Sequence, residues 1–130
     1  MQYKYYLELL TPLNITPKES KLELFISEEG KDKIKKMLTN LGVKEDDLTI
    51  GILSGAGASW GEDACLKQWP AIKFAQLADR IIKEYNAKIV VLGDETERSI
   101  AKTLVNTMSY KPIDLAGKTT LEELIAVISS

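Results

Sequence analysis

The stretch "LTIGILSGAGASWGEDACLKQWPAIKFAQLADRIIKEYNAKIVVLG", residues 48–93, decides the fold. It opens on a β-rich run, LTIGIL at 48–53, and closes on another, KIVVLG at 88–93. Both are short, apolar and bounded by turn residues, as strands buried on two faces are. Between them Phe74, Leu77, Ala78, Ile81, Ile82 and Tyr85 recur at helical spacing and predict a helix with a wide apolar face. Pro70 stands where the first helical turn accepts a proline, whose missing N–H has no intrahelical partner to lose there. Strand, helix and strand in this order predict a parallel pair joined by a crossover.

The same alternation extends outward. Toward the C-terminus, "DETERSIAKTLVNTM", residues 94–108, predicts a helix with Ile100, Leu104 and Met108 inward. "PIDLAG" at 112–117 is a last short strand, leading into a helix in which Thr119 and Glu122 have the spacing of a capping box. Toward the N-terminus, a helix from Glu28 to Leu41 buries Ile34, Met37, Leu38 and Leu41, with Ser27 as its cap and Gly42 as its stop. "KLELFIS", residues 21–27, alternates Leu22, Leu24 and Ile26 as a strand would. "YYLELLTPL", residues 5–13, carries a helical stripe of Tyr6, Leu9, Leu10 and Leu13 and reads as a lead-in helix or linker within residues 1–20. Four strand–helix alternations give the class α/β: a Rossmann-like parallel sheet with helices on both faces, occupying residues 21–130.

Composition bounds what such a domain does. The 130 residues suit one domain, and 45 % hydrophobic against 28 % charged residues is globular rather than disordered composition. Lys and Arg number 17 against 19 Asp and Glu, so no net basic field draws a nucleic-acid backbone. The single cysteine, Cys65, supports neither an internal disulfide nor a cysteine-based zinc site. With no histidine, Ser-His triads and His-ligated metals are excluded within these residues, and any base is Asp, Glu, Lys, Tyr or Cys. No apolar run reaches membrane-span length, and "MQYKYYLELL" lacks the order of a signal peptide, which predicts a cytoplasmic chain.

Residues 54–69 fall where an open parallel sheet collects ligands, outside the carboxyl end of a strand and before a helix N-terminus. Such a terminus carries about half a positive elementary charge and free N–H groups, a combination that favours phosphate. Gly55 and Gly57 let backbone approach a ligand, Ser59 offers a hydroxyl, and Lys67 precedes the helix with an ammonium group. Each also has a plain structural reading: turn geometry for the glycines, a cap for Ser59, solvation for Lys67, and a lid on the core for Trp69. "GAGASWG" is not a G-x-G-x-x-G fingerprint, since its third glycine, Gly61, comes one place late.

The ordered set is more telling than its parts. A strand leads to Ala58 and Ser59, Lys67-Gln68-Trp69-Pro70 opens a helix, the next strand ends at Gly93 with Glu97 shortly after, and "LAGKTTLEEL" follows at 115–124. This train resembles the glycosyltransferase family that contains the ADP-heptose:lipopolysaccharide heptosyltransferases, closely over residues 48–130 and loosely before them. The resemblance implies a two-domain transferase, of which these residues form the front of the donor-binding half. It implies that Ser59 and Lys67 contact the diphosphate of an ADP-sugar, Glu97 the ribose hydroxyls, and backbone at Ala116 and Gly117 the adenine. Glu95 is the rival for the ribose, with a first-turn helix acid as its plain reading, while Thr119 and Thr120 read as caps.

The resemblance further implies no cofactor beyond the sugar donor, no metal, and a lipopolysaccharide core acceptor. It places the chain at most peripherally on the inner membrane. The family's acceptor half, with its catalytic carboxylate, and its Asp-[Ser/Thr]-Gly-x-x-His segment are not among these residues. The 130 residues alone are therefore expected to be inactive, with no catalytic residue of their own, and to self-pair through an open sheet edge. Two readings from other classes stand beside this one: a non-catalytic α/β module that binds a nucleotide or a protein partner, and a dinucleotide-dependent oxidoreductase subunit.

Overall fold

A computed structural model of the chain describes residues 8–15, 24–55, 63 and 66–129. Three parallel strands, β1 (Thr49–Leu53), β2 (Lys88–Leu92) and β3 (Ile113–Asp114), form a sheet in that spatial order. Thr49 pairs with Lys88 and Leu53 with Leu92, and Val90 and Val91 pair with Ile113 and Asp114. Four α-helices accompany them among the described residues: α1 (Glu28–Asn40), α2 (Ala71–Tyr85), α3 (Arg98–Thr107) and α4 (Leu121–Ser129).

The central strand organises two cores, because alternate side chains of a strand point to opposite faces. Ile89 and Val91 join Ile52, Ala78 of α2, and Ala101 and Leu104 of α3. Val90 and Leu92 join Ile34 and Leu38 of α1, Leu115, and Ala126 of α4. Hence α2 and α3 cover one face and α1 and α4 the other. The change of face between α3 and α4 reverses the direction in which the chain winds.

Local chemistry explains the helix ends. Ser27 Oγ accepts from Gly30 N at 3.0 Å, capping α1 as the sequence predicts. At its C-terminus Val43 N donates to Leu38 O at 2.9 Å and Gly42 N to Thr39 O at 3.0 Å, with Gly42 at φ +88°, the paired bonds of a Schellman motif. Asp79 of α2 accepts from Ser109 N and Tyr110 N at 2.9–3.1 Å and so ties α2 to the chain leaving α3.

Several sequence expectations need correction. Residues 24–27 are not in a strand, and Leu24 and Phe25 are 74 % and 89 % exposed; among the described residues no neighbouring strand supplies a ladder there, while residues 21–23 lie outside the described set. Three strands rather than four therefore alternate with helices among the described residues. Of the lead-in helix, the described part is a helical Glu8, a turn at Leu9 and Leu10 and a 3-10 turn, Thr11–Leu13, halted where Asn14 turns left-handed at φ 59°, and Leu9 and Leu13 are exposed. Strand β1 is only partly buried, because among the described residues it has a neighbour on one side alone. Leu41, Leu77 and Tyr85 are exposed rather than buried, each at the margin of its helix's apolar stripe. Pro70 is the N-cap of α2 rather than its first helical residue, and its carbonyl accepts from Lys73 N and Phe74 N. The helix expected from residue 94 starts with a 3-10 turn, Glu95–Glu97, before α3. The α4 capping box lies one residue later than expected: Thr120 N donates to Glu123 Oε2 at 2.8 Å, and Glu123 N to Thr120 Oγ1 at 3.2 Å.

Candidate functional site

The carboxyl ends of the strands meet at three glycines: Gly55 after β1, Gly93 after β2 and Gly117 after β3. Gly117 N donates to Gly93 O at 2.9 Å, which draws the turn after β3 onto the end of β2. Ala116 N donates to Asp114 Oδ1 at 3.1 Å. Both amides are thus engaged inside the protein, and the polar groups these two residues can offer a base are their carbonyls. Gly117 takes φ +66°, which a glycine adopts without steric cost.

The turn after β2 aims two carboxylates at this corner. Asp94 Oδ1 accepts from Thr96 N at 2.8 Å, Glu97 N at 3.1 Å and Thr96 Oγ1 at 2.5 Å, and Glu97 Oε2 accepts from Asp94 N at 3.3 Å. This reciprocal capping box fixes the Glu97 backbone and steers its side chain back over the strand ends. The Thr96 hydroxyl, and after it the turn's amides, hold the Asp94 carboxyl below its usual range. Glu97 lies against the positions a Cβ would take at both Gly55 and Gly93, and Glu95 lies against that at Gly117. Glu95 also accepts from Arg98 at 3.3–3.4 Å.

Lys67 is exposed on the turn before Trp69 and Pro70. The Trp69 ring meets Phe74 edge-on at 4.9 Å, so it braces the start of α2 against the core. Among the described residues no side chain caps α2; Lys73 N and Phe74 N donate to the Pro70 carbonyl, and the amides ahead of them, at Ala71 and Ile72, are the ones a helix N-terminus can offer to an anion. Ser59 lies outside the described residues. Ser54 Oγ, at the end of β1, is buried without a hydrogen-bond partner among the described residues.

The family model for glycosyltransferase family 9 (heptosyltransferase) matches residues 4–130. The chain belongs to that family. A glycosyl transferase family 9 protein from Veillonella parvula DSM 2008 is 28 % identical, with a TM-score of 0.81 over 96 % of this chain and 34 % of that one. The E. coli ADP-heptose lps heptosyltransferase II is 22 % identical with a TM-score of 0.64, over 88 % of this chain and 34 % of its own, and shares the fold. The chain thus spans about a third of the length of these solved relatives. No curated protein matches it.

Within this family fold, the structure gathers Glu97, Ala116 and Gly117 at one corner and places Lys67 on the turn leading into α2. Sequence reasoning missed Asp94, although Asp94 and Glu97, three apart after a strand, are a capping-box signal. It also missed the contacts of Glu97 and Glu95 with glycines distant in the chain, which local spacing does not encode. A shallow groove of about 550 Å³, lined in part by Lys33, Lys36, Asn40, Asp114 and Lys118, lies between α1 and β3. Lys118 Nζ is held there by Asp114 Oδ2 at 3.0 Å, and lysines beside a short strand discourage edge pairing. No helix among the described residues is long and apolar enough to cross a membrane.

Proposed function

We propose that residues 21–130 form the donor-binding part of a heptosyltransferase-like enzyme that moves a sugar from an ADP-sugar to a lipopolysaccharide core acceptor. The observation that carries this reading is the Glu97 carboxylate seated over the glycine ends of two adjacent strands, where an open α/β sheet takes its ligand. A carboxylate has only acceptors, and a ribose offers two neighbouring hydroxyl donors. The carbonyls of Ala116 and Gly117 suit an exocyclic amine of adenine. Ser59, Lys67 and the uncapped start of α2 suit the diphosphate.

Transfer requires the acceptor hydroxyl to lose its proton while charge develops on the departing diphosphate. Lys67 and the α2 amides offset that charge; no residue of this chain is assigned as the base, and no cofactor is needed. The name of the E. coli relative supports ADP-heptose as the donor class. A cytoplasmic place, at most peripheral to the inner membrane, and self-pairing of the isolated chain belong to the same proposal. Titration calorimetry with ADP tests it: binding that weakens about tenfold in Lys67→Ala and in Glu97→Gln supports the reading, each losing a hydrogen bond to a charged group. Preference for NAD, or absence of nucleotide binding, refutes it.

A further inference from the structure

We infer that Gly55 is a positioning residue that sets ribose recognition, because its missing side chain lets the Glu97 carboxylate lie over the end of β1. The inference rests on the donor-site reading above and goes beyond it by naming what holds the acid in place. A Cβ at position 55 would overlap Oε1 and Cδ of Glu97 outright and stand 2.6 Å from its Cγ. The positive-φ glycines among the described residues are Gly42, Gly93 and Gly117. Gly55 is not among them, so its backbone admits an alanine and what it supplies is space alone.

The carboxylate is held from the other side as well. Glu97 Oε2 is 3.0 Å from the position a Cβ would take at Gly93, and it accepts the Asp94 N–H at 3.3 Å. Adjacent strands lie about 4.8 Å apart. One acid therefore bridges the ends of β1 and β2, with Oε1 over the first and Oε2 over the second. A methyl group at 55 takes the space of Cδ as well as Oε1, so it evicts the whole carboxylate and draws Oε2 off the Asp94 N–H. The same methyl meets no other atom among the three nearest, all of which belong to Glu97. The first group displaced is thus the one that would read the sugar.

The test compares the affinities of ADP and 2′,3′-dideoxy-ADP for the full chain and for Gly55→Ala, Glu97→Gln and the double variant. The unsubstituted chain is expected to prefer ADP by about tenfold, the worth of a hydrogen bond to a charged group. Gly55→Ala reduces that preference to within about twofold while the affinity for the dideoxy nucleotide stays unchanged, and the double variant loses nothing further. A general structural defect would instead weaken both nucleotides together. Without nucleotide, the Asp94 amide of Gly55→Ala exchanges faster with solvent as its bond to Glu97 is lost. Retention of the tenfold preference, equal weakening of both nucleotides, or unchanged Asp94 exchange overturns the inference and leaves the donor reading standing. A chain that binds neither nucleotide removes the donor reading and this inference with it.

Discussion

Replacing Gly117 by alanine separates two costs that meet at one atom. The residue sits at φ +66°, a conformation that costs an L-residue about 1–2 kcal/mol. A Cβ there would also overlap Glu95 Oε2 and stand 3.4 Å from Glu95 Cα and Cδ. The backbone distance is tolerable, so relief comes from swinging the carboxylate away, which breaks an exposed ion pair with Arg98 worth at most about 1 kcal/mol. Alanine in turn restricts the unfolded chain, which returns about 0.4–1 kcal/mol. The net expectation is a loss of about 1–2 kcal/mol in urea unfolding followed by circular dichroism, with an unchanged slope against denaturant. In a Glu95→Ala background the steric part vanishes and the backbone part remains, so Gly117→Ala still costs about 1 kcal/mol. If Glu95→Ala abolishes the whole cost, or if Gly117→Ala alone is neutral, the backbone argument is wrong.

Leu104, fully buried between α3 and the sheet face of Ile52, Ile89 and Val91, should cost about 2–5 kcal/mol when cut to alanine, against less than about 0.5 kcal/mol for the exposed Leu121, both read by urea midpoints. Glu123 links α4 to α1 through Lys33 at 2.6 Å and accepts the Thr120 amide; the Lys33 bond first, then that amide, lowers its carboxyl from the ordinary 4.5 to about 2. A depressed carboxyl stabilises the fold above its ordinary value and loses that contribution as pH falls from 4.5 through about 2, so Glu123→Gln should flatten the acid limb of a stability–pH curve across that window.

How far the sequence discloses the fold depends on how local each cause is. The helices α1 and α2 and the strands β1 and β2 are legible because their apolar period, caps and stops lie within a few residues: Ser27 before α1, Gly42 after it, Pro70 before α2. The segment 21–27 misleads for the converse reason. Alternating Leu22, Leu24 and Ile26 supplies the period of a strand, yet a strand needs a neighbour to share its hydrogen bonds, and no pattern within seven residues contains that neighbour. Exposure of Leu24 and Phe25 is the outcome among the described residues. Misplacement of the α4 cap from Thr119 to Thr120 has a smaller cause: two adjacent threonines each have a glutamate three residues on, and only the helix start decides between them.

The site is less legible than the fold because its geometry is made by contacts between chain segments far apart. Glu97 and Gly55 are 42 positions apart and Glu95 and Gly117 are 22, yet each acid fills the space that its glycine leaves. What joins them is the direction of winding. Helices α2 and α3 lie on one face of the sheet and α4 on the other. Since crossovers between parallel strands are right-handed, a strand that followed α4 would have to lie beside β1, on the edge that is unpaired among the described residues. Such a strand would reverse the order at β1, and the crevice of a parallel sheet opens where a reversal occurs. Gly55 would border that crevice, and Glu97 already reaches from the end of β2 to the end of β1. The groove between α1 and β3 lies at the opposite edge of the three described strands. Right-handed winding therefore puts the glycine corner, and not the groove, beside the edge at which a reversal would fall, as the proposed donor site requires.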